Sequence, residues 1–122
     1  MSKRGSVKKV VLAYSGGNFT LYDLEKRVQE RAKASAHVSY TRRLLDQGVG
    51  HCAKKLGEEA IETVLAAVEE DRARLIAEAA DLIYHLLVVL VSRGITLAEV
   101  EAALAERTRQ SGLTEKASRE RG

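Results

Sequence analysis

The stretch LGEEAIETVLAAVEEDRARLIAEAADLIYHLLVVLVSRG, residues 56–94, decides the fold. It contains no proline, and its apolar residues recur at helical spacing. We therefore expect two long helices, one from about His51 to Glu70 and one from about Asp71 to Arg93, where Gly94 stops the second. The polar turn EED, residues 69–71, lies between them, so the two helices should fold back as an antiparallel hairpin.

Acidic residues recur three apart on both helices. Glu59 and Glu62 lie on the first helix, and Glu78 and Asp81 lie on the second, so each pair projects from one helix face. If the chain folds back at residues 69–71, Glu62 faces Glu78 and Glu59 faces Asp81. Four carboxylates brought together would repel one another strongly unless a cation lies among them. Ligands that are all oxygen favour Mg²⁺ or Mn²⁺ over Zn²⁺.

A solvated helix face is the alternative explanation of these acids, because most acidic clusters are of that kind. Against it, the apolar run TVLAAV follows Glu62 directly, and no lysine or arginine follows Asp81 until Arg93. Lys55 precedes Glu59 by four residues, which is the less favourable order for a helix ion pair. The spacing therefore favours a metal site.

The composition favours a compact all-α protein of one domain. The chain has 122 residues, no proline and 4% aromatic residues. Four of its 20 basic residues lie before residue 10, which leaves 16 basic and 17 acidic residues in the rest and disfavours nucleic-acid binding. Cys52 is the only cysteine, and we find neither a signal peptide nor an apolar run long enough to span a bilayer. We expect a cytoplasmic protein that does not bind membranes.

Further helices flank the hairpin. Thr20 is placed to cap a helix whose apolar residues are Leu21, Leu24, Val28 and Ala32. A short helix in SYTRRLLDQ should end at Gly48, and Thr96 with Glu99 forms a capping box that begins the last helix.

The expected fold is thus an all-α bundle of four to five helices whose antiparallel hairpin carries a carboxylate metal site. The stretch LIYHLLVVLV, residues 82–91, is apolar on nearly every face, which is more than one small chain can cover. We therefore predict at least a homodimer, whose second copy completes the bundle.

Residues 1–17 differ from the rest of the chain. VKKVVLAYSGG, residues 7–17, is typical of one β-strand that ends in a glycine turn, and it resembles the first strand of ATP pyrophosphatases such as argininosuccinate synthase. A phosphate-binding loop of that kind needs a parallel sheet, for which the chain has no further strands. We predict that residues 1–17 are an appended extension and that residues 18–122 form the all-α domain.

Four stretches carry a closer family resemblance: SYTRRLLDQG, AKKLGEEAIETVLAA, EAADLIYHLLVVL and RTRQSGLTEKASR. They resemble phosphoribosyl-ATP pyrophosphohydrolase, a histidine-biosynthesis enzyme in the MazG-like group of all-α nucleotide pyrophosphohydrolases. The resemblance runs from about Phe19 to Arg119. The EExxE and ExxD pair is specific to the wider group, whereas YHLL and SGLTEKASR indicate the narrower family.

The resemblance implies hydrolysis of phosphoribosyl-ATP to phosphoribosyl-AMP and pyrophosphate, the second step of histidine biosynthesis. The metal ligands that it implies are the residues that the spacing selects: Glu59, Glu62, Glu78 and Asp81. Mg²⁺ held there, or Mn²⁺, would bridge the triphosphate oxygens and lower the pKa of the attacking water. The catalytic acids would be Glu58, Glu59 and Glu62, and the choice of general base stays open.

Basic side chains must meet the remaining phosphate charge, and our candidates are Lys55, Arg43 and Lys54. Exposure on a solvated face is an equally good explanation of each. His85 lies one turn beyond Asp81, where it could orient a ligand or phosphate or serve as a hydrogen-bonded core residue. The chain departs from the family at residues 47–50, where QGVG replaces the common KGPE beside the substrate.

Two alternative functions stay open. A housekeeping nucleoside triphosphate pyrophosphohydrolase would use the same metal site on another nucleotide, although SGLTEKASR argues against it. In a non-catalytic helical interaction module the acids would only decorate the surface.

Overall fold

The computed structural model describes residues 18–109 and 119–120, and every regular element in them is a helix. In chain order the helices are α1 (Leu21–Ala32), α2 (Tyr40–Asp46), α3 (Val49–Val68), α4 (Arg72–Ser92) and α5 (Leu97–Thr108). The predicted all-α class is confirmed, and residues 18–109 contain five helices. The strand expected within residues 7–17 and the SGLTEKASR stretch, of which the structure includes only Arg119, lie outside the described residues.

Side chains cap four of these helices at their first turn. The capping boxes are Thr20 with Asp23 at α1 and Thr96 with Glu99 at α5, and the single caps are Ser39 at α2 and Asp71 at α4. Each satisfies a backbone N–H that has no partner inside its own helix. The predicted starts of α1 and α5 are confirmed.

The junction between α2 and α3 is shorter than expected. Helix α3 begins at Val49, two residues before the predicted His51, and its N-cap Gly48 has φ +94°. Without a β-carbon, Gly48 adopts this left-handed conformation at little cost, so the chain reverses directly from one helix into the next. The departure from the family at residues 47–50 therefore spans the end of α2 and the start of α3.

Helices α3 and α4 form the predicted antiparallel hairpin, and their contact is the most extensive between two helices in the described part of the chain. The turn lies at residues 69–71, where Glu70 has φ +59°. The Asp71 carboxylate accepts a hydrogen bond from the backbone N–H of Arg74 at 3.0 Å, which starts α4 directly after the turn.

Helix α4 is the central helix of the bundle. Within its 21 residues, one 18-residue window has a mean hydropathy of 1.9, enough by length and composition to cross a membrane, so the expectation that no such run exists was wrong. The stretch reaches that value because Glu78 and Asp81 are the only Asp, Glu, Lys or Arg residues between residues 75 and 92. Glu78, Asp81 and His85 are nevertheless buried. Polar side chains are buried in this way when a helix packs against other parts of a protein, so we interpret α4 as a core helix.

The core lies beside α4, where α1 and α2 cross the hairpin. Its buried apolar members come from all five helices: Val28, Leu44, Cys52, Leu87, Val88 and Leu97. A carboxylate oxygen of Glu25 on α1 accepts from the backbone N–H of Leu97 at 2.7 Å, which ties α1 to the start of α5. This packing holds α1 and α2 against the half of α4 that follows Asp81.

Candidate functional site

Three carboxylates meet between α3 and α4. Oxygens of Glu59, Glu78 and Asp81 all lie within 4.8 Å of one another. The three residues are only 7%, 1% and 9% exposed, respectively. Like charges that are this close and this dry repel one another unless positive charge compensates them. Oxygen donors at this spacing suit a divalent cation with hard, oxygen-preferring character.

The packing of the hairpin sets this geometry. The Thr63 hydroxyl donates to the backbone carbonyl of Glu59 at 2.8 Å and reaches the carbonyl of Glu78 on the opposite helix at 3.2 Å. Thr63 thus lies beside Glu78, in agreement with the register that was expected to bring the acids of α3 and α4 together. The group consists of one acid from α3 and two from α4.

Glu62 is not a member of this group of three. It follows Glu59 by three residues on α3 and is half-buried. Three residues of an α-helix turn its side chain about 60° from that of Glu59, which moves it toward the rim of the contact between the helices. The role of Glu62 as a fourth ligand stays a prediction.

Arg74 is a functional candidate that the sequence analysis missed. Its Nε lies 3.8 Å from Glu78 Oε2, and the same guanidinium pairs with Glu69 in the hairpin turn. Arg74 precedes Glu78 by four residues, which is the less favourable order for a helix ion pair and gave little reason to select it. One guanidinium supplies a single positive charge against three carboxylates, so it compensates the group only in part.

Lys55 and Glu58 form an ion pair at the edge of the group. Lys55 Nζ lies 3.3 Å from Glu58 Oε1, and the Glu58 side chain is 47% exposed. The hydrogen bond to Glu58 raises the pKa of Lys55, which keeps its ammonium charged. Lys54, the neighbouring candidate, is exposed on α3.

His85 lies behind the carboxylates in the core. It is 1% exposed, and its Nδ1 lies 2.9 Å from the backbone carbonyl of Asp81, which requires the proton on Nδ1. Its ring meets the ring of Tyr84 edge-on, with centroids 5.0 Å apart. His85 therefore supports the helix turn that carries Asp81, which fits the core role left open by the sequence.

Arg43, the remaining basic candidate, lies on α2 beside Tyr40. Its guanidinium carbon is 6.0 Å from the centroid of the Tyr40 ring, within range of a cation–π contact. Tyr40 and Tyr84 lie near each other with centroids 6.5 Å apart, and the hydroxyls of Thr41 and Tyr84 are hydrogen-bonded at 2.6 Å. This second group of polar and aromatic side chains joins α2 to α4 one turn beyond Asp81.

Comparisons with known proteins agree with this arrangement. The family described as phosphoribosyl-ATP pyrophosphohydrolase matches residues 21–108. A phosphoribosyl-ATP pyrophosphatase 1 of Bradyrhizobium diazoefficiens is 65% identical over 101 residues, which cover 83% of this chain and 95% of the relative. A phosphoribosyl-ATP pyrophosphatase of Azorhizobium caulinodans is 62% identical over 102 residues, covering 84% of this chain and 94% of its own length. A phosphoribosyl-ATP pyrophosphatase 1 of Rhodopseudomonas palustris is 61% identical over 103 residues, with 84% and 96% covered.

Proposed function

The chain belongs to the phosphoribosyl-ATP pyrophosphohydrolase family, and from this membership we propose that it hydrolyses phosphoribosyl-ATP to phosphoribosyl-AMP and pyrophosphate. This reaction is the second step of histidine biosynthesis. The observation that carries the proposal for this chain is the buried group of Glu59, Glu78 and Asp81 within the matched residues. Membership of this family also supports the view that the chain is a soluble enzyme whose substrate is a small nucleotide. We propose that it works in the cytoplasm.

We propose that Mg²⁺ is the ion of this site, with Mn²⁺ as a substitute. Glu59, Glu78 and Asp81 would hold it, and Glu62 would complete the set from the rim. The donor set fits, because it is all carboxylate oxygen and is buried between the two helices. When bound, the cation would supply Lewis-acid charge to the phosphate oxygens and to the attacking water.

In this proposal Lys55 binds the phosphates and Glu58 is the general base. The anionic triphosphate attracts the Lys55 ammonium, which the pairing with Glu58 keeps charged. As Lys55 moves toward the phosphates, the Glu58 carboxylate is released and can accept a proton from water. Glu58 suits this part better than Glu59, because the Glu59 carboxylate lies inside the buried group.

Turnover measured on several nucleotides tests the function. We expect pyrophosphate release from phosphoribosyl-ATP with a kcat/KM at least about 100-fold above that for ATP or other nucleoside triphosphates. Equal turnover of common nucleoside triphosphates would identify the housekeeping enzyme instead. If no nucleotide is hydrolysed and calorimetry detects no binding of Mg²⁺ or Mn²⁺, the chain is a helical interaction module.

We propose that the enzyme is a homodimer held together by an apolar stripe on α3. Val64, Leu65 and Val68 follow Ile61 by three, four and seven residues, the spacing of one helix face. Ile61, Val64, Leu65 and Val68 are 63%, 61%, 46% and 69% exposed, respectively. Only 28% of the most apolar stretch of α4 is buried within one chain. A two-fold axis lets the α3 stripe of one copy pack against the same stripe of a second copy. The second copy could then also cover part of the apolar stretch of α4. Light scattering at micromolar concentration should give twice the mass of the chain, and a monomer would refute the proposal.

Removal of residues 1–17 should leave the activity within about threefold of the full chain. The family match begins at residue 21, and every residue assigned to metal binding, catalysis or substrate binding lies after residue 17. The measurement is kcat/KM on phosphoribosyl-ATP for both forms. A loss of more than about tenfold, or about 1.4 kcal/mol in the barrier, would show that the segment contributes to the site.

Glu62→Gln should weaken Mg²⁺ binding about tenfold and lower turnover, because an amide is a poor substitute for a carboxylate ligand. In chelator the variant should be more stable than the wild type by up to about 1 kcal/mol, since one like charge leaves the acidic group. Saturating Mg²⁺ should reverse this order by stabilising the wild type more. Thermal melts in both conditions measure the effect, and parallel curves for the two proteins would remove Glu62 from the metal site.

A further inference from the structure

A small cavity opens between α1, α2 and α4, next to the proposed metal centre. It has a volume of about 160 Å³, and its polar wall consists of Arg27, Arg31, Tyr40, Thr41 and Tyr84. Two aliphatic side chains of α1 complete the lining, which includes two positive charges and no carboxylate. The cavity is therefore suited to an anionic group.

The two arginines lie on the same side of α1, because they are four residues apart. The Arg27 guanidinium carbon is 5.1 Å from the centroid of the Phe19 ring, within range of a cation–π contact that restrains the planar group. Burial raises the pKa of Tyr84, and the nearby positive charge of Arg31 opposes that rise.

The size of the cavity limits its ligand. Sites for small molecules usually measure about 300–1,000 Å³, so this cavity can hold only part of a nucleotide. Paired guanidinium groups bind phosphate through several charge-assisted hydrogen bonds. The hydroxyls of Thr41 and Tyr84, 2.6 Å apart, offer partners for the hydroxyls of a sugar. A phosphorylated sugar at one end of a larger ligand satisfies these three conditions.

The cavity lies close enough to the three carboxylates for one ligand to reach both. Tyr84 follows Asp81 by three residues, about 4.5 Å along the axis of α4. His85 connects them, because its ring contacts Tyr84 and its Nδ1 is bonded to the carbonyl of Asp81. A ligand whose triphosphate occupies the acidic group could therefore place its opposite end between α1 and α4.

Phosphoribosyl-ATP has such a second end, and ATP lacks it. We propose that Arg27 and Arg31 bind the 5′-phosphate of the phosphoribosyl group in this cavity and so distinguish phosphoribosyl-ATP from ATP. The inference rests on the proposed function, since it assigns the part of that substrate that other nucleotides do not have. Arg27 and Arg31 are specificity-determining residues that lie apart from the bond that is hydrolysed.

The test compares the wild type with Arg31→Gln, Arg27→Gln and the double variant. Each single change should raise KM for phosphoribosyl-ATP about 30-fold and leave kcat within about threefold, because the lost contact is made equally in the ground and transition states. Turnover of ATP should not change. Calorimetry with phosphoribosyl-AMP and with AMP, the nucleotide products of the two substrates, provides a second readout. The wild type should bind phosphoribosyl-AMP more tightly than AMP, and the variants should lose this difference. Lys26→Gln removes one charge from the same helix outside the cavity and should behave as the wild type does.

Each outcome has a distinct meaning. If the wild type releases no pyrophosphate from phosphoribosyl-ATP, the proposed function fails and this inference with it. If the wild type is active but the arginine variants keep its KM and its product preference, the inference is wrong and the proposed function stands. Equal losses on phosphoribosyl-ATP and ATP would show that the arginines only support the fold, which also contradicts the inference.

Discussion

Glu78→Gln should reduce the turnover of phosphoribosyl-ATP by about 1,000-fold or more, equivalent to about 4 kcal/mol in the barrier. Glu78 is 1% exposed, so water cannot take the place of its carboxylate as it could on a surface. The amide keeps the shape of the side chain but presents a neutral oxygen and an N–H₂ group to the cation. Steady-state kinetics at several Mg²⁺ concentrations should show that excess metal restores little activity.

The same substitution should stabilise the protein when metal is removed. The Glu78 carboxylate repels two others at up to 4.8 Å, each by about 3.5 kcal/mol at an effective dielectric constant of 20. Arg74 at 3.8 Å attracts it by about 4.4 kcal/mol on the same basis, which is less than the two repulsions together. We expect a gain of about 1–2 kcal/mol in chelator after further screening, and Mg²⁺ should reverse the order of the melting temperatures.

Glu30→Gln is the matched control, because Glu30 is an exposed acid on α1 outside the group. Its melting curve should follow that of the wild type both in chelator and in Mg²⁺. A Glu78→Gln protein that also follows the wild type in both conditions would show that the three carboxylates do not bind the cation.

Val64→Glu should raise the dissociation constant of the homodimer by about 100-fold, because a charge placed in an apolar interface is left unpaired. Val64 lies in the middle of the α3 stripe and is 61% exposed in the single chain, so the free subunit tolerates glutamate there. Sedimentation or light scattering over a dilution series measures the change.

Val38→Glu provides the control for this substitution. Val38 is 75% exposed and lies between α1 and α2, away from the stripe. The control should dimerise as the wild type does. If Val64→Glu also dimerises normally, the α3 stripe is not the interface.

The hairpin and its acids could be predicted because both follow from short-range rules. Capping residues, the EED turn and acids three residues apart fix helix boundaries and faces, and together they place Glu59 beside Glu78 and Asp81. The structure adds that Glu62 is not one of the three clustered carboxylates. That detail depends on how closely α3 and α4 approach and rotate against each other, which the spacing of residues does not contain.

Other features depend on contacts that sequence patterns do not specify. Arg74 reaches Glu69 and Glu78 together only because the hairpin turn brings Glu69 back against the first turn of α4. The cavity beside Tyr84 is lined by side chains of α1, α2 and α4, and the sequence alone does not distinguish Arg27 and Arg31 from ordinary exposed arginines until the packing of those helices is known. The early start of α3 likewise depends on the positive φ of Gly48.

Product analysis after incubation with phosphoribosyl-ATP, with and without a chelator, tests the central claim most directly. With Mg²⁺ we predict phosphoribosyl-AMP and pyrophosphate in equal amounts, and with excess chelator we predict neither. Release of orthophosphate, product formation that continues in chelator, or no product from phosphoribosyl-ATP in Mg²⁺ would contradict hydrolysis of the α–β linkage at the carboxylate group.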